Sequence, residues 1–75
     1  AVEDFFALAE LKLPGYFPAG PETKILDEYF YRFYPFTETY LGVSNDHVWL
    51  LGGEFGDDST IDVSEFAAIV ALLSD

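Results

Sequence analysis

Between Tyr29 and Phe36 the chain reads Tyr-Phe-Tyr-Arg-Phe-Tyr-Pro-Phe, and no other stretch constrains the fold as tightly. Aromatic side chains fit a pleated surface, so the run predicts a β-strand, stopped where Pro35 removes a ladder donor. A strand with one wet face alternates apolar and polar residues. This strand carries rings at both parities, so both of its faces need a cover.

The chain has 75 residues, which predicts one small domain near the lower limit for a self-supporting core. It has no cysteine, so no disulfide staples it and no thiolate binds a metal. Packing has to carry the stability, and large rings supply the area: 51% of the residues are hydrophobic and 19% aromatic. The net charge of −11 speaks against nucleic acid, which needs a basic patch, and against docking on an anionic membrane. An acidic surface serves solubility or attraction to a basic partner. The longest apolar run, Phe66 to Leu73, is too short to span a membrane. The opening Ala-Val-Glu-Asp, without an initiator methionine, reads as a mature end left by signal-peptide cleavage, which predicts a periplasmic or secreted protein.

Residues 2 to 13 read as an amphipathic helix. Val2, Phe5, Phe6, Ala9 and Leu13 fall at helical spacing, and Glu3 and Asp4 complement the dipole in the first turn. Pro14-Gly15 stops it, and the stretch from Pro14 to Pro21 is a stiff connector from which Tyr16 and Phe17 tuck back onto the core. Thr23 to Asp27 is a sheet-bound lead-in. A meander follows: Glu28 to Tyr34, Thr39 to Val43 and His47 to Leu51, with turns over residues 35–38 and at Asn45-Asp46. If Tyr34 pairs with Thr39 and Val43 with Val48, one face carries Phe30, Arg32, Leu41, Val43, Val48 and Leu50. The other then carries Tyr29, Tyr31, Phe33, Tyr40 and Trp49. After a polar loop over residues 52–60, Asp62 reads as an N-cap with Glu65 as its reciprocal partner, opening a helix from Val63 to Leu73. Phe66 to Leu73 contains no polar residue, which marks a buried or contact helix.

Ala9-Glu10, Pro14, Phe17-Pro18, Tyr31-Arg32-Phe33-Tyr34-Pro35, Tyr40-Leu41-Gly42-Val43, Val48 and Leu51-Gly52 together resemble a short module of secreted proteobacterial proteins. The likeness covers about residues 5 to 53. It implies export and a small α+β unit, and it attaches no activity. The acidic segment after Phe55 departs from it, so the C-terminal helix has no support from that source.

Candidate sites are few. Residues 59–66 are similar to the second half of an EF-hand: with Ile61 at the eighth loop position, Glu65 takes the twelfth, where calcium sites place a bidentate carboxylate. The first half fails, because Glu54 and Gly56 would stand at positions one and three and Ser59 would replace the turn glycine. Asp57, Asp58, Asp62 and Glu65 are thus a candidate calcium set, and equally a solvated loop with a capped helix. His47 is the only histidine, so zinc chemistry and a catalytic triad lack partners. Arg32 sits among rings, where it is expected to stack on Tyr34 or Phe30 and pair with an acid such as Glu38.

These features predict an α+β domain: an N-terminal helix, a three-stranded antiparallel β-meander and a C-terminal apolar helix. Either one helix covers each face, or both share one and a partner takes the other. The expected function is noncatalytic, a secreted bacterial interaction or structural subunit that docks on protein, or on itself, through an aromatic sheet face or the C-terminal helix. Arg, Tyr and Trp dominate interface hot spots, so the candidate partner-binding residues are Tyr29, Tyr31, Arg32, Phe33, Tyr40 and Trp49, with Phe66, Ile69, Val70 and Leu73 on the helix. A glycan stacking on the sheet aromatics is the alternative ligand, and calcium at the acidic loop the alternative cofactor.

Overall fold

The structure, a computed structural model, describes residues 2–44, 47–53 and 59–73. The chain forms α1 (Val2–Lys12), β1 (Lys24–Leu26), β2 (Tyr29–Tyr34), β3 (Thr39–Ser44), β4 (His47–Gly52), β5 (Ser59–Asp62) and α2 (Val63–Leu73). The strands form one antiparallel sheet in the order β1-β2-β3-β4-β5. The α+β class holds, but the meander has five strands and not three. The lead-in at residues 23–27 pairs as β1 through Ile25↔Phe30, and the end of the presumed polar loop pairs as β5 through Val48↔Ile61. Both added strands are short, three and four residues, and both lie at the sheet edges. At an edge one ladder suffices, so weak local β-propensity is overridden by a neighbouring strand.

Register follows from the turns. Tyr34 faces Thr39 across the turn Pro35–Glu38, and Val43 faces Val48. The Glu38 amide donates to the Pro35 carbonyl at 3.2 Å, and Glu38 takes a left-handed φ of 54° to re-enter the sheet. Asp27 takes the same φ in the two-residue turn before β2, where Asp tolerates it better than most residues. Gly52 has a φ of +86°, and a Cβ there would fall 2.4 Å from the Glu38 carbonyl oxygen, so only glycine lets β4 end against that turn. The turn expected at Asn45-Asp46 lies outside the described residues.

Helix α1 buries Phe6 and Ala9, with Val2 and Phe5 packed beside them and Leu13 closing the stripe one residue beyond. Pro14 ends it, and the Phe17 amide donates to the Leu13 carbonyl at 2.8 Å, folding the connector back. That bond aims Phe17 into the core, where its ring meets Tyr34 at 5.2 Å and 60°. Tyr16 stays 37% exposed, so only one of the two connector rings is tucked away. Thr37 Oγ1 donates to the Tyr16 carbonyl at 2.8 Å and pins the connector to the β2–β3 turn.

Both helices lie on the same side of the sheet. Phe6, Ala9 and Leu13 from α1 and its end share one core with Phe66 of α2 and with Tyr34, Leu41, Val43, Val48 and Leu50. The Phe5 and Phe66 rings, one from each helix, stand 5.5 Å apart. Each large side chain withdrawn from water here contributes about 1.5–3 kcal/mol. Among the described residues, no helix covers the opposite face.

Candidate docking face

Residues directly opposite in an antiparallel ladder point to the same side of the sheet. The rows Phe33↔Tyr40, Tyr31↔Gly42 and Gly42↔Trp49 therefore bring the rings of β2, β3 and β4 together on the face away from the helices. Phe33 and Tyr40 meet at 4.6 Å with their planes 44° apart; Tyr31 and Tyr40 meet at 6.1 Å and 50°. Trp49 reaches Tyr29 at 5.7 Å and 39°. It does so because Gly42 leaves the strand between them bare: a Cβ at Gly42 would lie 3.0 Å from the indole. Tyr29, Phe33 and Tyr40 remain 37–38% exposed.

A groove of about 780 Å³ opens on this face. Its floor is Tyr31, Phe33 and Tyr40, one wall is the connector at residues 18–22, and Pro35-Phe36 closes an end, with Lys24 beside Tyr31. Phe36 is 82% exposed at the turn. The connector wall, Lys24 and Phe36 were not singled out as site residues from the sequence. Their signal was compositional, a Pro/Gly stretch whose path no periodicity fixes.

Arg32 stands apart from this face. It lies on the helix-covered side, with its guanidinium 4.8 Å from the centre of the Phe6 ring, and not stacked on Tyr34 or Phe30 as its flanking residues suggested. Its acids are also different from Glu38: Nη1 donates to Glu10 Oε2 at 2.7 Å and Nη2 to Glu3 Oε1 at 2.8 Å, while Nε donates to Thr23 Oγ1 at 2.8 Å. The Tyr34 hydroxyl donates to the same Glu10 oxygen at 2.7 Å. Burial alone would lower the Arg32 pKa, but the Glu10 hydrogen bond and the charges of Glu10 and Glu3 outweigh it and raise it. Burial, then the carboxylate of Glu10, push the Tyr34 phenol well above its ordinary range. Glu3 and Glu10 are seven residues apart, two turns along one helix face, and both reach Arg32. Arg32 is a fastener between α1, β2 and the lead-in to β1.

The helix candidates separate in the same way. Phe66 is buried against Phe5, whereas Ile69 is 40% exposed. Val70 and Leu73 fall within α2, and their side chains lie outside the described residues. Of the acidic-loop set, Asp57 and Asp58 lie outside the described residues, as do Glu54 and Gly56 of the EF-hand likeness. Asp62 accepts from both the hydroxyl and the amide of Ser64, the latter at 2.8 Å, and caps α2. Those two bonds, with a smaller share from His47 across the ladder, lower its pKa. No cluster of three metal-ligating side chains occurs among the described residues, and none of their helices is long and apolar enough to cross a membrane.

Compared with protein-family models, curated proteins and solved structures, the chain matches none of them. The aromatic face is defined by its own geometry. It offers half-exposed rings on a rigid sheet, tyrosine hydroxyls among them, and a groove bounded by proline and one lysine.

Proposed function

We propose that this chain is a noncatalytic, exported subunit that docks on a partner protein through the uncovered aromatic face of its sheet. One observation carries the proposal: two groups of touching rings, Tyr29 with Trp49 and Tyr31 and Phe33 with Tyr40, share the side of the sheet away from both helices. Exposed apolar patches on small proteins mark interaction sites, and aromatic anchors supply most interface energy. Arg32 is left out of the anchor set, because Glu3, Glu10 and Thr23 already hold it. Export is taken from the likeness to secreted modules.

The partner in this proposal is a different protein and not a second copy. Two chains of −11 repel each other, and a repulsive field slows encounter as well as weakening it. A glycan is the lesser reading, since the rings stand 39–50° to one another and do not form a common plane for a sugar to lie on.

Photo-crosslinking in the exported fraction of the native source tests the docking face. A benzophenone amino acid at Tyr40 is expected to give one discrete adduct, and the same group at Lys12, exposed at the end of α1, is expected to give none. No adduct from position 40, or the same adducts from both positions, would overturn the proposal. An adduct of two copies would replace the heterotypic partner with self-assembly.

A further inference from the structure

The groove on the aromatic face has a shape and charge that select among partners. Building on the docking reading, we propose that it takes an extended, proline-containing peptide segment carrying basic side chains.

Three observations lead there. The first is relief. Phe33 and Tyr31 each tilt against Tyr40, by 44° and 50°, so the floor is ridged rather than flat. A polyproline II segment, with three residues per turn and a rise of about 3.1 Å, sets proline rings into such furrows. It also leaves every carbonyl without an internal partner, and Tyr31 and Tyr40 bring hydroxyl donors to the floor. The second is the wall. Pro18 and Pro21 have no amide hydrogen, so the connector offers an added strand only an interrupted ladder, which disfavours β-augmentation against it. The third is charge. Glu22 and Lys24 offset one another in the groove lining, while outside it Glu38, in the turn after Phe36, and Asp27 and Glu28, beyond β1, are exposed acids. Within a chain of −11 these carboxylates favour arginine or lysine on the incoming segment. A volume of about 780 Å³ holds a few residues of peptide, the size range of ordinary ligand clefts.

Fluorescence anisotropy tests this with a dye-labelled peptide carrying a Pro-x-x-Pro core and two arginines. Saturable binding is expected, with the proline-to-alanine and arginine-to-glutamate peptides each about tenfold weaker or more. Phe36→Ser is expected to weaken binding about fivefold; at 82% exposure the residue can change without disturbing the core, which circular dichroism checks. Glu22→Lys should weaken the arginine peptide and strengthen the glutamate one. Equal binding of the three peptides, or no anisotropy change at millimolar protein, would overturn the proposal. If the peptides fail while the adduct from position 40 persists, the docking face stands and its ligand class falls. If both fail, both fall.

Discussion

Beneath the helices, Leu41, Val48 and Leu50 are at most 1% exposed, yet one residue further along the same strands Tyr40 is 37% exposed and Trp49 is only partly covered. The two faces carry comparable apolar material and dispose of it differently. On the covered face the aliphatic residues meet α1, Phe17 and Phe66, and the polar groups are paired: no buried side-chain nitrogen or oxygen among the described residues lacks a partner. On the open face the rings pack on one another, across the ladder and diagonally. Covered-face residues therefore hold the fold, and open-face residues are free to be chosen for contact.

Removing a ring from the covered face should have the largest effect. Phe6 is fully buried, touches Phe5 at 5.3 Å and supports the Arg32 guanidinium. Phe6→Ala is expected to cost about 3–5 kcal/mol, a large share of the stability of so small a domain. Urea unfolding followed by near-UV circular dichroism measures it. A loss under about 1 kcal/mol would mean that the helix-covered face is not the core.

Much of this division was legible beforehand. Helix α1, the turn at Pro35 and the pairings Tyr34↔Thr39 and Val43↔Val48 follow from periodicity and turn chemistry, and with them the sorting of rings onto two sides. The start of α2 followed from its cap, Asp62. Less legible was what depends on distant segments. The edge strands β1 and β5 exist because a neighbour offers a ladder: residues 23–27 read as sheet-bound but without a partner strand, and residues 59–60 read as loop. Strand parity alone sorts Arg32 with Leu41, but the acids that hold it there, Glu3 and Glu10, come from a distant helix, so the sequence counts it among the contact residues. The groove was illegible because its wall is a connector without repeat or period.

Next in size is a pH effect confined to the covered face. Tyr34 is fully buried, and its phenol stays protonated to a higher pH in the folded chain than in the unfolded one. Above about pH 10 the unfolded state therefore binds fewer protons than the native state, so stability falls as pH rises. It is fully present below about pH 10 and declines by up to about 1.4 kcal/mol per pH unit above it. Denaturation midpoints between pH 8 and 11 check this, and Tyr34→Phe should flatten the slope. An unchanged slope in Tyr34→Phe would assign the alkaline loss elsewhere.

Removing a ring from the open face should have the smallest effect on stability. Phe33 is 38% exposed and its close partner is its cross-strand neighbour Tyr40, at 4.6 Å. Such a pair contributes about 0.2–1 kcal/mol relative to alanine, so Phe33→Ala should shift the urea midpoint only slightly. The same change deletes part of the groove floor, and adduct formation from position 40 should drop with it. The contrast with Phe6→Ala is the decisive quantity: two phenylalanines, one on each side of the sheet, one expected to cost several-fold more stability than the other. If Phe33→Ala costs as much as Phe6→Ala, the open face is covered in the folded protein, and the rings belong to a second core rather than to a docking surface.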